Sequence, residues 1–533
     1  MVHIHGTRNT TIKGQRRLTW SRELFCWAAT IFSTRGFTSQ VLSDTPPADR
    51  ARPLGQYERE HNSLQKLFEH GFGVLLPLLD LLNHKPGARV EWQPSYSFVG
   101  IRVLENFEQG EEVYNNYGPR DNEGLLLAYG FAIEGNPFDH VNISIKGPPG
   151  SPLDEVRTWP ADPKSDPERK CYIFDINHIR ATSATSLELS IFSYDLLDSV
   201  SLLTANDREL QTMFARKRSL LSLGLAHGFE DHRNILSAVS QLIHECKARL
   251  TNLRNHDPRN KIPSQKPRNS KQYYARIYRD SQAKIFETAI AVALFILVRA
   301  STTNPDVQLV RRTVETISRD LLGQALPDQV LADLEAAASK LEALTRPKEL
   351  FSISDMTSLL PHAKSESLHQ CFAEIESNWL QSVTSPGSTA LVLDHVTSAK
   401  ARFAILLAAL QTEASRGTRL PSRLQSWLND ITGWYPPSDP NWTYVPHSGP
   451  WAPGEEPPQA LVALLAARAL VSPQLAADCA IKQWLRPEML CWGWNVMEEE
   501  RVMVPAVIES IADMNWIPPK TEDLGVLMYY KQY

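Results

Sequence analysis

Cysteine is scarce in this 533-residue chain: the six, Cys26, Cys171, Cys246, Cys371, Cys479 and Cys491, are scattered singly with no C-x-x-C pair. That pattern argues against a zinc cluster or a dense disulfide framework, and no metal site is expected. No leader is expected either, because residues 1–15 are polar and lack the apolar run of a signal peptide, and the longest apolar stretch, 289–298, falls well short of the about 20 residues a membrane span needs. The expectation is a soluble cytoplasmic or nuclear protein with no membrane partner. Positive charge is not in excess: 55 Lys plus Arg face 60 Asp plus Glu, a net charge of -5. Without a global field to neutralise phosphates, nucleic acid is not an expected partner. What remains is an ordinary globular composition, 42% hydrophobic and 22% charged, long enough for about two to four domains.

Over 18–35 apolar residues recur at helical spacing, with Leu24, Trp27, Ala28, Ile31 and Phe32 on one side and Ser21 placed as N-cap. The stretch 43–71 carries Pro46, Pro47 and Pro53 and predicts a connection with one short helix at 62–68. From 73 to 145 the period changes, and short runs at 74–79, 97–103 and 113–117, broken by Gly and Pro, predict strands. Beyond a Pro-rich junction at 147–170 the pattern is helical. Ile235, Val239, Leu242, Ile243, Cys246 and Leu250 form one stripe and Ile285, Ala289, Val292 and Ile296 another; Val330, Leu334, Leu341 and Leu344 belong to later helices. The basic stretch 254–279 reads as a solvated loop. At 434–458 eight prolines interleave with Trp434, Trp442 and Trp451, which excludes regular helix or central strand. Such a segment is either a ligand for a Pro-reading module or a rigid connector packing aromatics onto a helical body, and the connector is preferred. No motif in 304–533 carries chemistry.

Two short segments stand out. The first, Pro77-Leu78-Leu79-Asp80-Leu81-Leu82-Asn83-His84, is an apolar run ending in polar residues and predicts a buried strand or turn. Its Asn amide needs partners, since a buried unpaired one costs about 1 to 3 kcal/mol. The second, Gly110-Glu111-Glu112-Val113-Tyr114-Asn115-Asn116-Tyr117-Gly118, precedes Asn122, Leu126 and Tyr129-Gly130-Phe131. Taken separately, Asn83-His84 reads as a turn cap and Gly110 with its glutamates as a hairpin turn. Their joint order and spacing is harder to dismiss.

Together they resemble the SET-domain methyltransferases, in particular the branch with the Rubisco large-subunit, ribosomal-protein and actin-histidine methyltransferases. That branch carries P-x-x-D-x-x-N-H, then G-E-x-V with Y-G behind it, then N-x-x-x-L-x-x-Y-G-F, and Pro77 to Phe131 meet this pattern. Phe25-Cys26-Trp27-Ala28 through Arg35-Gly36-Phe37 is similar to its F-x-W-A helix with one inserted residue, and Tyr278-Arg279-Asp280-Ser281-Gln282 to the end of its helical substrate-binding domain. The resemblance implies an α+β fold: a SET domain at 1–146, an all-α substrate-binding domain at 147–303, and a mostly helical region at 304–533 with its Trp/Pro connector at 434–458. It implies S-adenosylmethionine as cofactor and a lysine of a non-histone protein as the methyl acceptor. Carried over by position, Tyr117 stands at the methyl-transfer point, Asn83 and His84 contact the cofactor with Asp80 beside them, Arg35 reaches its carboxylate, and Tyr129, Gly130 and Phe131 form walls.

One departure is serious. The family's R-G-x-G-x-x-A loop precedes the F-x-W-A helix, whereas here only residues 1–18 do, and Gly71-Phe72-Gly73 reads as a turn into the next strand. The SET domain is therefore expected to be N-terminally incomplete, and the chain as given to bind S-adenosylmethionine weakly or not at all. The rival reading is a catalytically inactive SET relative acting as an interaction scaffold through 147–533. The substrate protein and the oligomeric state are not legible.

Overall fold

The computed structural model describes residues 21–39, 72–94, 99–147, 149–156, 158–160, 166, 168–175, 191–217, 232–260, 266–303, 306–341, 346–383, 393–446, 456–508 and 524–531. They are mostly helical, with small antiparallel sheets of two or three strands, compatible with an α+β protein. The chain divides into two units, Met1–Asn136 with Arg268–Tyr278, and Pro137–Pro267 with Arg279–Tyr533. The expected helix at 62–68 and the first residue of Gly71-Phe72-Gly73 lie outside the described residues.

In the first unit, helix α1 (Arg22–Arg35) starts where the Ser21 side chain accepts the Leu24 N–H, and Arg35 in its last turn complements the negative end of the helix dipole. Gly36 follows because a Cβ there would run into the Phe32 carbonyl. Strand β1 (Gly36–Thr38) pairs antiparallel with β2 (Gly73–Leu75), and the absent Cβ of Gly73 makes room for the Phe32 ring. Strands β3 (Val90–Pro94) and β4 (Val99–Val103) form a second ribbon, with Trp92 opposite Ile101. Phe37 meets Trp92 edge-on at 5.3 Å and so ties the ribbons together. Helix α2 (Asn122–Tyr129) is capped by Asp121 and stopped by Gly130 at φ 80°, the left-handed conformation glycine adopts without steric cost.

The periodicity of α1 is as read, but its burial is not. None of its residues is buried, and Phe25, Trp27 and Phe32 are each more than half exposed. An apolar stripe signals a face suited to cover; it does not supply the cover. Two predicted strands are also shorter than read. The run at 74–79 is strand only to Leu75 and then turns, and 113–117 contributes a single bridge at Asn115.

In the second unit a ribbon of β5 (His140–Ile143) and β6 (Cys171–Phe174) precedes the helices α3 (Tyr194–Leu203), α4 (Asp207–Arg216), α5 (Arg233–Asn255) and α6 (Ser270–Ser301, from Arg279 onward in this unit). The α5 stripe is buried as the spacing predicts. Helix α6 goes further: from Ile285 to Val298 every residue is buried, so the second stripe is one face of a helix enclosed on all sides. Helices α7 (Val307–Leu322), α8 (Asp328–Leu341), α9 (His362–Val383), α10 (His395–Ser415), α11 (Ser422–Trp434), α12 (Gln459–Ala469) and α13 (Pro487–Glu500) follow.

A three-stranded sheet, β7 (Leu350–Phe351), β9 (Leu524–Tyr529) and β8 (Arg501–Pro505) in the order 7-9-8, lies where two apolar cores meet. Alternate side chains of a strand point to opposite faces. Accordingly Leu527 and Tyr529 join the core of α5 and α6, while Val526, Met528 and Tyr530 join the Trp-rich core of α9 to α13. There Trp427 donates to the Tyr529 carbonyl, Trp484 to Glu413 and Trp492 to the Tyr435 carbonyl, so these buried indoles keep their polar handles satisfied. In the Pro-rich segment, Pro440–Thr443 forms a helical turn and Trp442 packs edge-on to Tyr435 at 4.7 Å; Trp451 lies outside the described residues. Among the described residues no helix is long and apolar enough to cross a membrane.

Candidate active site

The two motif segments of the first unit run side by side. Asn115 N–H donates to the Asn83 carbonyl at 2.8 Å and Lys85 N–H to the Asn115 carbonyl at 3.1 Å, forming a parallel bridge between His84 and Asn115. The approach to it is tight. Leu78, 76% exposed, sits at φ 77° and ψ −43°, a backbone conformation that strains a residue with a Cβ, and residues 79–81 make a turn of 3-10 helix. The run expected to be buried is therefore a turn with Leu78 and Leu81 outward, and its polar end alone reaches the bridge.

His84 is buried, and its Nδ1 accepts the Tyr117 N–H at 3.1 Å. An imidazole accepting at Nδ1 is neutral and carries its proton on Nε2. Burial holds its pKa below the usual histidine value, opposed by the Asn115 carbonyl and reinforced by Arg120. Its Nε2 is buried with no hydrogen-bond partner among the described residues. An orphaned buried N–H costs about 1 to 3 kcal/mol, a cost that a bound acceptor would remove.

Tyr117 stacks on His84, ring centroids 5.0 Å apart and planes at 18°. Its hydroxyl donates to the Leu82 carbonyl at 2.7 Å, which spends the proton and leaves the oxygen lone pairs for another group. Burial raises its pKa above the usual tyrosine value, as do Tyr129 and Asp80, against Arg35, so the phenol stays neutral. Tyr129 lies 5.0 Å from Tyr117, and Phe131 lies 6.2 Å from Tyr129 and 6.5 Å from His84. Gly130 ends α2 and lets the chain turn so that Phe131 joins the row. The fully buried Asn122 fixes that turn: its amide donates to the Ile133 carbonyl at 2.9 Å and accepts the Ile133 N–H at 2.8 Å.

Arg35 donates to the Asp80 carbonyl at 2.9 Å and lies 3.5 Å from its carboxylate. Asn83 is exposed rather than buried, and its amide N–H donates to Glu112 at 2.6 Å; Tyr114 donates to the same carboxylate at 2.9 Å. These two bonds, Asn83 first, hold the Glu112 carboxyl below the usual glutamate range. With its N–H group so engaged, the side-chain amide oxygen of Asn83 is left to face a donor.

The structure thus brings Tyr117, His84, Tyr129 and Phe131 into one aromatic row and pairs Arg35 with Asp80, with Asn83 beside the bridge. Sequence reasoning missed Glu112, which it placed in an ordinary hairpin turn, and Tyr274, whose ring meets Phe131 at 6.4 Å. Tyr274 falls in the basic stretch 254–279 read as a solvated loop, whereas from Ser270 onward that stretch is helix α6. The orphaned Nε2–H, the Tyr117 lone pairs and the apolar ring walls fit a cofactor with polar and cationic parts. Among the described residues no group of three or more His, Cys, Asp and Glu could hold a metal ion. A cavity of about 530 Å³ in the second unit, lined by Arg233, His244, Glu499 and Arg501 among others, includes none of the motif residues.

No family model matches the chain. It is 28% identical over 274 residues to ribosomal lysine N-methyltransferase set10 of Schizosaccharomyces pombe, covering 50% of this chain and 42% of that protein. It is 35% identical over 145 residues to ribosomal lysine N-methyltransferase 1 of Saccharomyces cerevisiae, covering 27% of this chain and 20% of that protein. Over 74 residues it is 41% identical to SET domain-containing protein 4 of Homo sapiens, 13% of this chain and 17% of that protein. The chain spans less than half the length of these relatives. The chain is thus a relative of the SET-domain protein-lysine methyltransferases, the family its motif pattern resembles.

Proposed function

We propose that this protein is an S-adenosylmethionine-dependent protein-lysine N-methyltransferase acting on a non-histone protein. The observation that carries the reading is Tyr117, a neutral phenol whose proton is tied to the Leu82 carbonyl and whose ring is stacked on His84, at the bridge of the two motif segments. Bound S-adenosylmethionine would supply an electrophilic methyl group on a sulfonium. The acceptor must arrive as a neutral amine in line with it, so the protein's work is orientation and electrostatics. Tyr117 presents oxygen lone pairs to positive charge while its hydroxyl proton is held elsewhere. His84 Nε2–H and the side-chain amide oxygen of Asn83 offer a donor and an acceptor to the cofactor, and Arg35 would turn from Asp80 to a carboxylate. The rings of Tyr129 and Phe131 exclude water from that region.

The names of the relatives point to a ribosomal protein as the first substrate to try. Incubation with tritiated S-adenosylmethionine and purified ribosomal proteins should give label that survives hydrolysis as methyllysine, with saturable, weak cofactor binding in calorimetry. A folded chain showing neither would overturn the proposal. That result would favour the inactive scaffold, a reading the exposed Phe25, Trp27 and Phe32 of α1 also suit.

A further inference from the structure

Tyr274 is a ring of the aromatic row that lies far in sequence from the stretch Pro77 to Phe131. It lies near the start of helix α6, in the part that belongs to the first unit, half-buried and edge-on to Phe131 with ring planes at 69°. Its hydroxyl makes no hydrogen bond among the described residues, so the ring rather than the polar tip does the packing. Phe131 has no polar handle of its own and follows the turn at Gly130. Its orientation rests on its ring neighbours, and of these Tyr129 and His84 meet it at tilted angles of 50° and 49°. The edge-to-face contact from Tyr274 adds a restraint from a third direction.

We infer that Tyr274 is a positioning residue of the cofactor site: by bracing Phe131 it fixes the wall beside the orphaned Nε2–H of His84 before ligand arrives. The inference rests on the site being the cofactor site proposed above. Without Tyr274, ligand binding has to order the Phe131 side chain as well, and ordering a side chain on binding weakens affinity. An aromatic pair contributes enough that its loss should weaken cofactor binding roughly two- to tenfold.

The test is calorimetric titration of the full chain with S-adenosylmethionine, with melting temperature measured in parallel. Tyr274→Ala should weaken binding by that factor, Tyr274→Phe should restore it to within about twofold, and Lys271→Ala, an exposed neighbour, should match the parent. Tyr274→Leu keeps bulk without the ring edge and serves if the alanine variant folds poorly; it should bind weakly while melting like the parent. Parent-like affinity in the alanine and leucine variants would overturn the inference, as would a phenylalanine variant as weak as alanine. A parent chain that binds no cofactor removes the reading of the site, and the inference with it.

Discussion

Replacing Tyr117 with phenylalanine removes one oxygen from the site and should separate catalysis from stability. The oxygen makes one hydrogen bond, to the Leu82 carbonyl at 2.7 Å, and neither residue is fully buried. Loss of such a bond costs about 0.5 to 1.5 kcal/mol net, and the half-exposed carbonyl can recruit water in its place. The ring contacts to His84 and Tyr129 survive the change. The melting temperature should therefore fall by only a few degrees. The proposed methyl-transfer step should lose more, because the only oxygen the ring brings to the site is gone. A positioned catalytic group contributes at least about 10²-fold, roughly 2.7 kcal/mol of barrier. Three measurements decide it: turnover with tritiated cofactor, cofactor affinity by calorimetry, and melting. Turnover should drop about 10²-fold or more with affinity changed by about threefold or less. Parent-like turnover would refute the argument, and so would a turnover loss matched by an equal loss of affinity.

Asn122→Ala should cost about 1 to 3 kcal/mol in urea unfolding, because both half-buried Ile133 backbone groups lose their partner; a loss under about 0.5 kcal/mol would show that the turn holds without it. His84 favours its neutral form in the folded protein, so its contribution to stability is complete above the unfolded value of about 6.5 and is lost as pH falls through the lower folded value. Acidification should thus lower the melting temperature of the parent more than that of His84→Gln, and parallel pH profiles would count against a depressed pKa. In the second unit, a Cβ at Gly493 would run into the Ala404 backbone carbonyl, an atom no side-chain change at 404 removes, whereas one at Gly433 meets nothing within 4 Å. Gly493→Ala should destabilise by about 1 to 3 kcal/mol and Gly433→Ala should stabilise by a few tenths to about 1 kcal/mol, read from unfolding midpoints.

Legibility followed the range of the physical signal. The α5 stripe was readable because 3.6-residue spacing reports one buried face, and Ser21 because an N-cap is chemistry within three residues. Periodicity could not report that α6 is enclosed on every side, nor that the apolar face of α1 is exposed, since both depend on what lies across from the helix. Strand β9, an apolar run in a region expected to be helical, went unread because a strand buried on both faces lacks alternation. The site divides in the same way. Asp80, Asn83, His84 and Tyr117 were visible as motif residues, but that Asn83 is exposed and bonded to Glu112 is a tertiary fact, as is the meeting of Phe131 with Tyr274.

The local rules fail together in one place, and that place bears on function. Within a few residues the chain forces Leu78 to positive φ, buries the Nε2–H of His84 without an acceptor, and leaves the Asn83 amide at the surface. The first two features cost stability, and a sequence under selection for stability alone would remove them with glycine at 78 or an apolar residue at 84. The second unit has buried polar atoms without a hydrogen-bond partner among the described residues too, at Ser151, Asn234, Arg311, Ser318, Trp494 and Arg501 among others, so an orphaned atom alone does not mark a site. What distinguishes the bridge of His84 and Asn115 is that strain, an orphaned donor and an oriented phenol oxygen coincide beside a row of rings. Strain and unmet hydrogen bonds concentrated at one point are the expected cost of a site whose missing partner is a ligand.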